Sequence, residues 1–154
     1  MSIQDIFNYL RVSNQLILGG QPTEEQIQAA AAEGVKVVIN LATLNRESTL
    51  RDEAGLVRSL GMTYHHIPVE WGNPTESDFD AFEKIFREAA KEKTLLHCAA
   101  NFRVTAFYSL YAMKHLGWSE AQANEFRATI WHESDYPIWE EFIAGIKSKI
   151  KEQS

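Results

Sequence analysis

The run VKVVINL at residues 35–41 constrains the fold most tightly. Its β-branched apolar residues do not alternate with polar ones, so it suits a central strand covered on both faces. Such a strand needs helices on either side, and the flanking sequence supplies them. Thr23-Glu24-Glu25-Gln26 is a capping box that opens an alanine-rich helix, and Gly34 ends it. Residues 50–60 place Leu50, Ala54, Val57 and Leu60 at helical spacing. Residues 63–69 read as a second strand. Residues 75–91 carry Phe79, Phe82, Ile85 and Phe86 on one helical face, and residues 94–97 form a short strand. Helices are predicted over 103–115, from the capping box Ser119-Glu120-Ala121-Gln122, and over 136–150, with Ile138, Phe142 and Ile146 inward. At the start, residues 10–12 and 16–18 flank Ser13-Asn14 as a hairpin. This alternation predicts an α/β fold: a single domain, residues 1–154, with a mostly parallel central sheet flanked by helices.

Composition narrows the function. Of 154 residues, 45% are apolar and 23% charged, as in globular domains. The net charge of −6 argues against sequence-independent binding to nucleic acid or anionic lipid. The first residues lack a basic segment followed by an apolar one, so no secretory signal is expected, and no apolar run is long enough to cross a bilayer. One cysteine excludes an internal disulfide framework and a multi-cysteine zinc site, and the five histidines lack metal-ligand spacing. The expectation is a cytoplasmic protein that needs no metal or cofactor.

In parallel sheets ligands bind beyond the carboxyl ends of the strands. That rule points to LLHCAANFRVT at residues 95–105, where a strand ends in His97-Cys98 and Arg103 stands at a helix start. A free thiol titrates near ~8.5, but a helix N-terminus and a guanidinium favour the thiolate, which is the nucleophile. The N–H groups of Ala99, Ala100, Asn101, Phe102 and Arg103 can cradle an oxyanion, and the Arg103 fork can grip it. The loop has no glycine, so Asn101, which tolerates the left-handed region, is the predicted turning point.

These residues resemble the signature loop of cysteine-dependent protein tyrosine and dual-specificity phosphatases: His-Cys, five residues, then Arg followed by Ser or Thr. The chain as a whole is similar to a bacterial branch of that superfamily, akin to the phosphatase-like part of beta-lactamase-hydrolase-like proteins. The resemblance runs from about Ser13 to His115 through LGGQPTEEQ, VKVVINLA, YHHIPVEWGNPT and LLHCAANFRVTAF. It implies a dual-specificity-like fold, a phosphorylated substrate and a cysteinyl-phosphate intermediate.

Two departures from the family pattern matter. Only four residues separate Cys98 from Arg103, and Thr105 rather than Val104 matches the hydroxyl residue after the arginine. The loop that should supply an acidic Asp reads Val69-Glu70-Trp71-Gly72-Asn73-Pro74-Thr75, with Glu70 its only carboxylate. Glu70 is therefore the candidate general acid, and Glu70→Gln should remove one limb of the pH–rate profile. Asp78 fits a helix cap better. Trp71 is read as a lid over the pocket, Arg46 as a further anion contact on the same rim, and His97 as orienting the loop. An exposed Cys98 should be sensitive to peroxide. Two other readings stay open. A rhodanese-like sulfurtransferase fits the six-residue span Cys98 to Arg103, and a non-catalytic anion-binding pseudophosphatase fits the missing Asp.

Overall fold

The computed structural model describes residues 2–44, 50–131 and 136–153. Five strands make one sheet: β1 (Leu10–Ser13), β2 (Leu16–Gly19), β3 (Val37–Asn40), β4 (Thr63–His66) and β5 (Thr94–His97), in the order β1-β2-β5-β3-β4. β1 pairs with β2 antiparallel, as a hairpin, and every other neighbouring pair is parallel. Six helices surround the sheet: α1 (Glu24–Ala32), α2 (Glu53–Ser59), α3 (Glu76–Ala89), α4 (Phe102–His115), α5 (Glu120–Ala128) and α6 (Pro137–Gln153).

Successive strand residues face opposite sides, and each side has its own core. Leu18, Ile39 and Leu96 pack with Phe79, Phe82, Phe86, Phe107 and Trp139. Ile17, Val38 and Leu95 pack with Ile27, Ala30 and Val57, closed by Ile3 and Ile6 of the amino-terminal turn. α4 is buried continuously from Arg103 to Ala112, the pattern of a helix enclosed on all sides. The other helix starts follow the capping chemistry. Thr23 with Gln26, Thr75 with Asp78 and Ser119 with Gln122 form reciprocal caps, so Asp78 is a capping residue. Gly34 ends α1 with φ at +102°, a conformation that other residues adopt at a cost.

Two strands are shorter than their apolar runs. β3 spans only Val37–Asn40 because the Val35 N–H turns back to the Ala30 carbonyl, closing the α1 end. β4 stops at His66, although Ile67 and Val69 still donate to the Asn40 and Leu41 carbonyls. Pro68 between them has no N–H to give. β5 lies at the centre of the sheet, and His97 is level with Gly19 and Asn40, so the loop that follows β5 opens above the middle strands.

Candidate active site

The loop from Cys98 to Arg103 turns at Asn101, whose φ of 70° and ψ of 7° are left-handed, as the sequence predicts. Asn8, also left-handed at φ 52°, faces it. The two amides clasp each other's backbone: Asn101 Nδ2 donates to the Asn8 carbonyl at 2.8 Å, and Asn8 Nδ2 to the Ala100 carbonyl at 2.9 Å. A second tie comes from the Gly19-Gly20-Gln21 segment. The Gln21 N–H donates to the Ala99 carbonyl at 2.9 Å. A Cβ on Gly20 would lie 2.6 Å from the same oxygen, so only glycine lets the two backbones approach. Asn101→Ala forfeits the clasp and keeps an unfavourable φ, and is expected to cost about 2 kcal/mol of stability. Asn101→Gly, which keeps the backbone freedom, is expected to lose about half as much. Denaturant unfolding of both variants checks the ranking.

Within this frame the loop backbone is left unspent. Among the described residues no acceptor serves the N–H groups of Ala99, Ala100, Asn101, Phe102 or Arg103. Arg103 is 7% exposed, and no carboxylate pairs with it among the described residues. Its Nη1 donates to the Val69 carbonyl at 2.9 Å, and its guanidinium carbon lies 5.8 Å from the centroid of the Trp71 ring. A buried, uncompensated cation beside consecutive free donors is an environment that favours a bound anion.

Cys98, Ala99, Ala100, Phe102 and Arg103 line a cavity of about 250 Å³ together with Trp71 and Tyr136. The Cys98 residue itself is fully buried, so the exposed thiol expected from the sequence is corrected. Cys98 belongs to the apolar core on that side of the sheet. Slow rather than rapid reaction with peroxide follows, because accessibility limits oxidation as much as thiolate character does.

The cavity wall is aromatic. Trp71 meets Tyr136 edge-on at 4.9 Å and lies 6.2 Å from Phe102. Trp131 stacks on Phe102, and Trp139 Nε1 donates to the Trp71 carbonyl at 2.7 Å, anchoring the segment that carries Trp71. Trp71 thus borders the cavity and packs against the core at once. Glu70 does not join it: the residue is exposed and absent from the cavity lining, and its carbonyl closes a turn onto the Asn73 N–H. The Thr105 hydroxyl donates back into its own helix, to the Asn101 and Phe102 carbonyls. Arg46 and the segment 132–135 lie outside the described residues.

One participant gives no plain signal in the sequence. Glu53, in the first turn of α2, is buried and meets His97 Nε2 at 2.6 Å through Oε2. Its other oxygen accepts from Gln21 Nε2 at 2.7 Å. Burial pushes the Glu53 carboxyl up, but the charge of His97 and the hydrogen bonds from His97 and Gln21 outweigh it and hold the carboxyl below its ordinary range. The far side of the His97 ring places Nδ1 3.1 Å from the Cys98 carbonyl. The only hint in the sequence is position: Glu53 lies four residues before the inward-facing Val57, on the same helical face.

The chain was compared with known proteins. The model of a family described as DSP-PTPase phosphatase fused to NAD+ kinase matches residues 4–138. A beta-lactamase hydrolase-like protein of Xylella fastidiosa is 26% identical over 102 residues, covering 64% of this chain and 23% of that protein. The chain therefore spans about a quarter of the length of the curated relatives it matches. Among solved structures, a DUF442 protein from Shewanella putrefaciens CN-32 superposes with a TM-score of 0.86 at 34% identity, covering 96% of each chain. TpbA of P. aeruginosa shares the fold, with a TM-score of 0.74 at 18% identity over 92% of this chain and 88% of that one.

Proposed function

The chain belongs to the family of DSP-PTPase phosphatases fused to NAD+ kinase, within the cysteine-dependent phosphatase superfamily, and on that footing we propose that it hydrolyses phosphomonoesters through a cysteinyl-phosphate intermediate. The observation that carries the reading is the pairing of free loop N–H groups with an Arg103 that no carboxylate neutralises among the described residues, directly beside Cys98. In this reaction the Cys98 thiolate attacks phosphorus, the ester oxygen leaves with its electron pair, and water then cleaves the S–P bond to release phosphate. The loop N–H groups and the guanidinium hold the equatorial oxygens as charge shifts onto them.

Protonation of the leaving group is the weak part of this machinery. Glu70 is the proposed acid, yet its exposed position outside the cavity gives it no contact there. Substrates with good leaving groups are then the ones turned over. Glu70→Gln is expected to leave p-nitrophenyl phosphate turnover within about threefold, because nitrophenolate departs without a proton. A pH–rate profile that loses its limb in this variant would restore Glu70 to the reaction.

A second reading has its own support, because no acid lines the cavity among the described residues and the loop closes with six residues. Sulfur transfer needs no acid at that place: the thiolate attacks the sulfane sulfur of thiosulfate, sulfite leaves, and cyanide takes the sulfur from the resulting persulfide as thiocyanate. One experiment separates the readings. p-Nitrophenyl phosphate hydrolysis and thiocyanate formation are measured side by side, with and without vanadate. Vanadate-sensitive hydrolysis alone supports the phosphatase. Thiocyanate formation alone overturns it, and neither activity with retained phosphate binding leaves an anion-binding module.

A further inference from the structure

We propose that Glu53 is a positioning residue for the nucleophile, acting through His97. The Cys98 carbonyl can only accept, so the His97 Nδ1 that lies 3.1 Å away carries a proton. Glu53 accepts at Nε2 on the opposite side of the same ring, and Gln21 fills its second oxygen. Ring, carboxylate and amide nitrogen thus form a continuous chain, and the Gln21 Oε1 at its far end has no partner among the described residues. The side chains of His97 and Glu53 are 0% and 5% exposed, so solvent does not compete for these contacts.

The chain fixes two things. The ring holds the Cys98 carbonyl on the His97 side, which settles the orientation of the peptide that opens the loop. The same peptide carries the Ala99 N–H, the first of the free donors. The pair is also oriented, with the imidazole ring nearer Cys98 and the carboxylate behind it. Glu53 sits on α2, Gln21 follows β2 and His97 ends β5, so three elements distant in sequence converge on one carbonyl. Among the described residues the groups around the pair are few. Tyr64 and His66 from β4 act electrostatically with Glu53, and Arg58 acts on Tyr64. Arg103 faces the loop from α4. Burial and the neighbouring Glu53 charge push Tyr64 up to about 12, so it stays neutral in the working range.

The phosphatase reading enters only one arm of the test. Glu53→Gln keeps both contacts with the polarity at His97 reversed, because its amide nitrogen donates to His97 Nε2 and its oxygen still accepts from Gln21. It removes the carboxylate's charge while leaving the anchor in place. Glu53→Ala removes the anchor as well. Each is made with His97 intact and with His97→Asn. The first readout is the rate at which Cys98, the sole cysteine, is alkylated by iodoacetamide at fixed neutral pH. The second is kcat and KM for p-nitrophenyl phosphate.

Glu53→Gln is expected to melt with the wild type and to slow alkylation by about threefold to tenfold, the range that coupled contacts produce. kcat should fall in step while KM stays put. In the His97→Asn background neither substitution at Glu53 should have a further effect. Alkylation of Glu53→Gln at the wild-type rate would overturn the proposal, as would equal slowing with and without His97. Unfolding of Glu53→Gln would also overturn it, by showing that the charge pair holds the fold rather than the loop. If the wild type hydrolyses no ester while alkylation still answers to Glu53 through His97, the phosphatase reading fails and the positioning role stands.

Discussion

Cys98→Ser is expected to lower p-nitrophenyl phosphate turnover by about four orders of magnitude or more, or about 5 kcal/mol of transition-state stabilisation. Among the described residues a serine hydroxyl in this place has no partner that takes its proton. Glu53 is committed to His97, Glu70 lies outside the cavity, and the Thr105 hydroxyl points into its own helix. The anion cradle is otherwise untouched, since the free N–H groups and Arg103 do not depend on the sulfur. Phosphate binding, followed by titration calorimetry, is therefore expected to stay within about threefold of the wild type. The buried hydroxyl should cost only about 1 kcal/mol of stability, which a thermal melt reads. The two measurements have to diverge. Turnover at the wild-type level in the serine variant would place the nucleophile elsewhere. Loss of phosphate binding together with turnover would mean that the sulfur organises the loop rather than attacks within it.

The architecture was legible because the patterns that specify it are local. VKVVINL is a buried strand in any context that covers both its faces, and the three capping boxes mark where helices begin. Asn101 was legible for a related reason: a glycine-free loop that must turn has few residues able to enter the left-handed region. The site was legible only in part. Cys98 and Arg103 stand out by type and spacing, but the burial of Cys98 comes from a core whose side chains the sequence scatters from Leu16 to Ile146. Glu53 was not legible, because a carboxylate near a helix start reads as a solvated cap. Its burial depends on β5 delivering His97 and the Gly-Gly-Gln segment delivering Gln21 to the same spot. Glu70 was legible only to the level of its loop. Sequence placed a carboxylate in the right loop, and the turn that Glu70 closes onto Asn73 leaves the residue exposed.

Arg103 should show activity and stability moving in opposite directions. Arg103→Lys keeps the charge but loses the planar fork, and is expected to lower kcat/KM by about a hundredfold to a thousandfold, the loss seen when one donor to a developing oxyanion is removed. Arg103→Met removes the charge too and should be at least as inactive. Yet Arg103 is 7% exposed and its guanidinium is held by one carbonyl and one aromatic face, with no carboxylate partner among the described residues. Burying such a cation costs stability, which the free protein recovers when methionine fills the space. Arg103→Met is therefore expected to be about 1 kcal/mol more stable than the wild type without phosphate, after allowing for the unfilled Val69 carbonyl. Saturating phosphate should reverse the order. At a hundred times its dissociation constant a ligand adds about 2.7 kcal/mol to the form that binds it, and only the wild type retains the full cradle. Melting curves of both proteins with and without phosphate test this directly. A methionine variant that is less stable under both conditions would assign Arg103 to holding the Val69 loop in place, and the anion site would then have to rest on the backbone donors alone.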